Sequence, residues 1–221
     1  MPKSKYRYQS FYRRFLPHLH SYDKPLFITW RMAFTLPQSV MKKIDSELNI
    51  YRKTNAIKDM TVPDFFLHLE KKRFALYDEM LAKDESFPRL LNDIPIVDYI
   101  VSAIAYYDQR RYNLMAYCIM PNHVHLLLIP LDDEMGEKYS QALIMKSIKG
   151  YSAYKINQVL KKQGAFWQRE YYDHIIRNDI ELARCLNYIA NNPVKAGLVT
   201  HWKEWKHTLI KAEYQQYLPS E

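Results

Sequence analysis

The segment from residue 114 to residue 129 limits the possible folds more than any other part of the chain. It is rich in apolar and aromatic residues and is interrupted by Pro121-Asn122, two residues that favour turns. We therefore predict two strands, 114–120 and 123–129, joined in a tight antiparallel hairpin. Apolar residues fill most positions of the second strand, so other parts of the protein must cover both of its faces.

Two further segments predict strands that extend this hairpin into a sheet. Residues 26–36 are aromatic and β-branched and end before Pro37, and residues 166–176 have a similar composition. Helical patterns over 138–161 and 180–191 precede and follow the second of these segments. The order of the elements predicts an α+β fold of ferredoxin-like kind, an antiparallel sheet of about four strands with packed helices.

Residues 39–111 differ from the rest of the chain in pattern and in charge. They are helical and charged, with breaks at three prolines. Residues 32–137 carry 12 Lys and Arg against 16 Asp and Glu. We expect residues 1–221 to form a single domain, with 39–111 as a helical insertion within it.

The two ends of the chain are basic, and they account for the net charge of +8. Residues 1–31 carry 7 Lys and Arg against 1 acidic residue, and residues 138–221 carry 13 against 7. Tyrosine and tryptophan are interleaved with these charges. Because bases stack on aromatic side chains, this pattern favours nucleic acid over a membrane surface as the partner.

Several kinds of protein do not fit this sequence. No stretch approaches 18 apolar residues and the basic start lacks an apolar core, so we expect neither a membrane span nor a secretory signal peptide. Cys118 and Cys185 form no CxxC pair, which argues against a disulfide framework and a zinc knuckle. We expect a cytoplasmic protein without membrane contact, either a monomer or a homodimer.

Two histidines stand in the second strand of the predicted hairpin. Side chains alternate between the faces of a strand, so His123 and His125 share one face while Val124 points to the other. This spacing lets both imidazoles ligate one metal ion. A pair of hydrogen-bonded core histidines would give the same pattern, and the motif alone leaves both interpretations open.

A second pair of polar residues lies near the end of the helix predicted over 180–191. Asp179 is a suitable N-cap for this helix, and Asn192-Pro193 predicts its end. Tyr188 and Asn192 are four residues apart, so their side chains lie one above the other on one helix face. They suit a nucleophile and a metal ligand, although an ordinary amphipathic tyrosine followed by a helix stop fits the spacing equally well.

Taken together, these residues resemble a known family, the single-tyrosine HUH transposases and, within them, the REP-associated tyrosine transposases. The resemblance implies an HUH endonuclease type of fold. It implies that His123 and His125 are the metal pair, that Tyr188 is the nucleophile and that Asn192 is the third ligand, with Asn191 as the alternative one position away. The matching pieces are Met120-Pro121-Asn122-His123-Val124-His125 and residues 166–178 and 187–199.

The resemblance also implies an activity. A transposase of this type is a metal-dependent endonuclease and strand transferase that cuts and rejoins single-stranded or hairpin DNA through a 5′-phosphotyrosine intermediate, with Mg²⁺ or Mn²⁺ as cofactor. Two alternatives remain open at this point. One is a protein of the same fold that binds structured nucleic acid without cutting it. The other is a metal-dependent hydrolase that uses water, with Glu170 or Asp173 as the general base.

Further residues are predicted to contact the DNA. Basic side chains flanking the strands and helices suit phosphates, and aromatic side chains before the second helix suit unpaired bases. Asp173 would alternatively orient His174 beside a metal. The predicted phosphate contacts are Arg31, Lys146, Lys149, Arg169, His174 and Arg177, and the predicted stacking residues are Trp167, Tyr171 and Tyr172.

Overall fold

The computed structural model describes residues 11–13, 17–19, 23–33, 38–54, 62–83 and 89–219. Contacts between residues divide the chain into two compact units. The first unit comprises Met1–Ala33 and Arg89–Glu221, and the second comprises Phe34–Pro88. The single domain with an insertion over 39–111 stays a prediction. The end of the strand predicted over 26–36, from Phe34 onwards, lies outside the described residues.

The structure contains seven strands within the described residues: β1 (Phe11–Arg13), β2 (Pro17–Leu19), β3 (Leu26–Arg31), β4 (Tyr112–Ile119), β5 (His123–Pro130), β6 (Tyr172–Ile175) and β7 (Thr208–Ile210). The first unit is built on an antiparallel sheet of five strands in the order β6-β3-β5-β4-β7, and β1 and β2 form a separate hairpin. The α+β class is confirmed, but the sheet has one strand more than the four predicted. The additional strand is β7, whose three residues are too few to show the alternation that identifies a strand in a sequence.

The second unit contains two helices, α1 (Gln38–Thr54) and α2 (Val62–Lys83). They run antiparallel, because an early residue of α1, Asp45, pairs with Arg73, and a late residue, Tyr51, bonds to the earlier His68. The Asp45–Arg73 pair spans 3.5 Å, and the Tyr51 hydroxyl lies 2.8 Å from the His68 ring. These helices account for the helical pattern that the sequence shows in this region.

Helices α3 (Ile94–Tyr107) and α4 (Gln141–Leu160) cover one face of the sheet, and α6 (Ala212–Gln215) is a short helix near the chain end. The predicted insertion includes α3, yet α3 packs within the first unit. Its contact with α4 and the sheet forms the main apolar core. Core residues include Ile28, Trp30, Ile100, Ile104, Val124, Leu126, Leu128, Ile144 and Ile148.

Helix α5 (Asp179–Lys195) runs four residues beyond the predicted stop and continues through Pro193. A proline in the last turn removes only one backbone hydrogen bond, which a helix tolerates when packing favours it. The helix ends at Lys195, and Gly197, just after the C-cap Ala196, has a φ of 67°, the left-handed conformation that often follows a helix end. Its N-cap is Asn178 rather than Asp179, since the Asn178 side chain accepts a hydrogen bond from the backbone N–H of Glu181.

None of the helices in the described ranges combines the length and the apolar character needed to cross a membrane.

Candidate active site

His123 and His125 lie side by side on the face of β5 opposite the apolar core. Their Nε2 atoms are 3.0 Å apart, and both side chains are fully buried. The predicted shared face is therefore present, and it places the two imidazoles against each other. His125 stacks on the Phe27 ring at a centroid distance of 5.7 Å.

Each histidine is held through its other ring nitrogen. His123 Nδ1 lies 2.6 Å from Asn122 Oδ1, and His125 Nδ1 lies 2.8 Å from Thr29 Oγ1. An amide oxygen only accepts hydrogen bonds, so Asn122 assigns the ring proton of His123 to Nδ1. The Thr29 hydroxyl can donate or accept, and a ring proton on His125 Nδ1 is the tautomer that suits metal binding. With both ring protons on Nδ1, the two Nε2 atoms can ligate a cation.

The spacing of the two Nε2 atoms fits a single divalent ion. Imidazole nitrogens lie about 2.1 Å from such an ion, and two ligands at that distance and at right angles are about 3 Å apart. The observed separation is 3.0 Å. Two imidazole nitrogens suit Zn²⁺ and similar ions, and an oxygen ligand, which Asn192 is predicted to supply, would also admit Mn²⁺ or Mg²⁺.

The turn between β4 and β5 holds His123 in place because its backbone is bonded on several sides. Met32 N donates to Asn122 O, and Leu91 N donates to Pro121 O, both at 3.0 Å. Met120 N also donates to His123 O at 2.9 Å. Backbone hydrogen bonds therefore tie the turn before the histidines to its neighbouring segments.

Tyr188 extends from α5 over the same face of the sheet. Its ring lies edge-to-face against His125, at 5.4 Å between centroids, and against Phe27, at 5.8 Å. The Lys195 ammonium lies 5.5 Å from the centre of the Tyr188 ring. Helix α5 thus brings the predicted nucleophile into contact with the histidine pair.

Burial raises the pKa of the neighbouring Cys185 thiol, which keeps that thiol protonated and unreactive.

The two adjacent asparagines of α5 lie in different surroundings. Asn192 belongs to the buried side of the helix and is 3% exposed. Asn191 is half-buried and bonds to the preceding turn, with Nδ2 donating to Asn187 O at 3.0 Å and to Asn187 Oδ1 at 2.6 Å. These positions favour Asn192 over Asn191 as the third ligand, which stays a prediction.

His174 is held by a hydrogen bond to a carboxylate within the protein. It faces Phe27 across the β3–β6 pairing, and its Nε2 lies 2.6 Å from Glu181 Oε1. The other carboxylate oxygen of Glu181 accepts the backbone N–H of Arg177. The pair joins β6 to the first turn of α5, so this contact gives His174 a positioning role.

Asp173 does not support the water-using hydrolase. It lies opposite Ile28 in the sheet register, whereas the histidines share the face of Phe27 and Thr29. The pleat therefore directs Asp173 to the other side of the sheet from the histidines.

The predicted lysine and arginine contacts differ in exposure: three are exposed and two are half-buried. Lys146, Arg169 and Arg177 are exposed, and Arg31 is half-buried at the end of β3, opposite His123. Lys149 is half-buried and donates to the carbonyl oxygens of Gln168 and Arg169, at 2.8 and 3.0 Å, where it holds the segment before β6.

The three predicted stacking residues differ in position. Trp167 is 5% exposed, belongs to the apolar core and donates from its indole to Ser152 Oγ at 3.0 Å, which leaves no ring face for a base. Tyr171 is also buried in that core, with Lys149 over its ring. Tyr172 is half-buried on the histidine face, with an edge contact to Phe27 at 6.3 Å.

Sequence analysis missed the residues that support the histidines. Thr29, Asn122 and Phe27 contact the imidazoles, and Glu181 holds His174. Asn122 was identified only as a turn residue, and its position next to His123 was the available signal. The pairing of Thr29 with His125 depends on the register between strands nearly one hundred residues apart, which spacing along the chain does not reveal.

Comparison with known proteins finds similar chains among transposases. The family model described as "Transposase IS200 like" matches residues 96–192, which include both histidines, Tyr188 and Asn192. A putative REP-associated tyrosine transposase of Haemophilus influenzae is 32% identical over 131 residues, covering 53% of this chain and 74% of that protein. An uncharacterized protein of the same organism is 29% identical over 94 residues, covering 35% of this chain and 52% of its own length.

A solved structure shares the fold. It is the structure of a REP-associated tyrosine transposase bound to a REP hairpin, with a TM-score of 0.50 and 15% identity. The match covers 90% of this chain and 82% of that one. The predicted HUH type of fold is therefore confirmed.

Proposed function

This chain belongs to the family of REP-associated tyrosine transposases, and from that premise we propose that it cleaves and rejoins single-stranded or hairpin DNA by a metal-dependent reaction at Tyr188. The observation that carries the proposal is the contact between the Tyr188 ring and His125, 5.4 Å between centroids, beside the His123–His125 pair. A nucleophile next to two imidazoles that can share a metal ion is an arrangement that suits phosphodiester transfer.

Tyr188 would attack the scissile phosphate. Its phenol oxygen forms a new bond to phosphorus, the bond from phosphorus to the 3′ oxygen breaks, the phenol loses its proton and the 3′ oxygen gains one. The products are a 5′-phosphotyrosine and a free 3′-OH. A phenol is a good leaving group compared with an alcohol, so a second 3′-OH can reverse the step and rejoin a strand without ATP.

The residues around Tyr188 would position it and hold the metal. Phe27 and His125 pack against the Tyr188 ring and fix its direction. His123, His125 and Asn192 would hold the ion, and Thr29 and Asn122 would keep the imidazoles in the ligating tautomer. When bound, Mg²⁺ or Mn²⁺ would polarise the phosphate oxygens and stabilise the charge that develops on them.

Charge and family together support a DNA substrate with unpaired nucleotides. The first and last parts of the chain are basic, and the structure with the same fold contains a REP hairpin. Exposed Lys146, Arg169 and Arg177 would contact phosphates. Tyr172, on the histidine face, is the predicted aromatic residue best placed to meet a base.

The test is formation of a covalent adduct. The full chain is incubated with DNA hairpins that carry single-stranded flanks, with Mn²⁺ or Mg²⁺, and the products are separated on a denaturing gel. We expect a protein–DNA band and a fragment with a free 3′-OH. Tyr188→Phe should lose both while its DNA affinity stays within a few-fold.

Tyr154→Phe is the matched control, because Tyr154 is an exposed tyrosine of α4. It should form the adduct as the wild type does. An adduct with Tyr188→Phe would refute the assignment of the nucleophile. Cleaved DNA with a 5′-phosphate and no attached protein would favour the hydrolase, and binding without cleavage would favour the non-cleaving protein.

A further inference from the structure

A cavity lies beside α5 on a side of the helix that the proposed chemistry does not use. Its volume is about 400 Å³, within the range of roughly 300–1,000 Å³ found for small-ligand sites. One wall is part of α5, and the others come from the turn Trp202–Glu204 and from residues near the chain end. The lining includes Asn187, Asn191, His201, Trp202, Leu218 and Pro219.

Two asparagines supply the polar part of this wall. Asn191 Nδ2 donates to the backbone oxygen of Asn187, which assigns the orientation of its amide, and also to Asn187 Oδ1. Each side chain therefore retains one group: Asn187 keeps an Nδ2 donor, and Asn191 keeps an Oδ1 acceptor. Every nucleobase carries donors and acceptors side by side on its edge, and asparagine amides are common partners for them.

Trp202 supplies an aromatic wall with a positive charge near it. Its side chain is half-buried and lines the cavity, and the Lys203 ammonium lies 5.7 Å from the ring centroid. Leu218 and Pro219 add apolar surface. A flat ring for stacking, a donor and acceptor for the base edge and a cation for the attached phosphate together match one nucleotide of a single strand.

The cavity is close to the proposed nucleophile along the helix. Asn187 precedes Tyr188, and consecutive residues of an α-helix are rotated by about 100°. Asn187 and Asn191 therefore form a strip adjoining the strip of Tyr188 and Asn192. A strand whose phosphate reached Tyr188 would then lie within reach of the cavity for one adjacent base.

We propose that this cavity binds one unpaired nucleobase of the DNA flank near the cleaved phosphate, stacked on Trp202 and bonded to Asn187 and Asn191. The inference rests on the proposed function, since it takes the same DNA strand as the ligand. If a base is bound in this cavity, the side of α5 that carries Asn187 and Asn191 helps to determine which phosphate is cleaved. That side is separate from the one that carries Tyr188 and Asn192.

The test measures binding of the full chain to a dye-labelled DNA hairpin with single-stranded flanks, by fluorescence anisotropy. In a series of hairpins, one flanking base at a time is replaced by an abasic site. We expect the wild type to lose about tenfold in affinity at one position, the size of one lost base–aromatic stack. Trp202→Ala should bind weakly and show no further loss at that position, whereas Trp202→Phe should retain the loss.

Two more variants separate this site from general effects on the fold. Asn187→Ala keeps the aromatic wall. In this variant the loss of affinity caused by the abasic site at the same position should be a few-fold smaller than in the wild type. Tyr154→Ala removes an exposed ring from α4 and should leave the wild-type pattern unchanged. Equal losses at every abasic position, or a full tenfold loss retained by Trp202→Ala, would overturn the proposal.

The outcome can be separated from that of the proposed function, because anisotropy does not require cleavage. If the single-position response appears without a covalent adduct, the cavity is supported and Tyr188 is not the nucleophile. If the adduct forms but every abasic site lowers the affinity equally, only the proposal that the cavity binds a base is rejected. Failure of the wild type to bind any hairpin would reject both.

Discussion

The two faces of the central sheet are built from the same strands but differ in what their side chains do. In β5, Val124 and Leu126 point to the core formed with α3 and α4, while His123 and His125 point to α5. All four are fully buried. Burial is therefore satisfied on one face by apolar packing and on the other by hydrogen bonds, and only the second arrangement leaves ligating atoms in place.

The difference indicates how stability and activity are divided in this protein. Losing an apolar side chain costs packing alone, whereas losing a histidine also removes a hydrogen bond and a ligating atom. Substitutions on the histidine face should therefore lower cleavage by more than their loss of stability explains.

The largest effect is expected for His125→Ala, which removes one Nε2 of the pair. Cleavage of a hairpin with single-stranded flanks should fall to background, and treatment of the wild type with EDTA should do the same. Gel assays with and without added Mn²⁺ measure both effects. Full cleavage in EDTA would contradict the metal assignment.

Leu126→Ala tests the opposite face at the neighbouring position. Leu126 is fully buried in the main core, so the free energy of unfolding should fall by about 2–5 kcal/mol. Urea denaturation followed by circular dichroism measures the loss. A change below about 0.5 kcal/mol, the range of ordinary surface substitutions, would show that this face is not the main source of stability.

Thr29→Val removes the hydroxyl that bonds to His125 Nδ1 while keeping the shape of the side chain. Metal affinity should fall by about 10- to 100-fold, as is usual when the partner of a ligating histidine is lost. Titration of the cleavage rate against Mn²⁺ measures it, and excess metal should restore the rate. A rate that stays low at saturating metal would assign Thr29 a different role.

Gly197→Ala should give the smallest effect and leave the site intact. A Cβ at Gly197 meets no atom within 4 Å, so the cost comes only from the φ of 67°. We expect a loss of about 1–2 kcal/mol in unfolding free energy, since the helix cap then requires a left-handed alanine. Thermal unfolding measures the loss, and the cleavage rate at low temperature should match that of the wild type.

The parts of the fold that were predictable are those that short-range patterns specify. Apolar composition and the Pro121-Asn122 turn place the hairpin within two residues of its observed strands, 112–119 and 123–130, and alternation along a strand predicts the shared face of the histidines. The end of α5 was predicted wrongly, because a proline in the last turn interrupts the sequence pattern but not the helix.

The candidate site was only partly accessible from the sequence, for a different physical reason. His123, His125 and Tyr188 are suggested by residue type and family resemblance, and they lie together. The residues that orient them come from other strands and from the turn, through pairings such as Thr29 with His125. Such pairings depend on the register between distant segments, which local preferences do not encode. Asn192 as the third ligand stays a prediction.

The hydrogen bonds of the turn before His123 indicate where the chain can accept segments of different length. Met32 precedes the Phe34–Pro88 unit, Leu91 follows it, and both donate to adjacent carbonyls of that turn, Asn122 O and Pro121 O. The polypeptide therefore departs from the sheet and rejoins it at neighbouring points. Segments whose ends meet in this way can be lengthened, shortened or exchanged without altering the strand order. The length of chain between Met32 and Leu91 can thus change while the strands that carry the histidines keep their order.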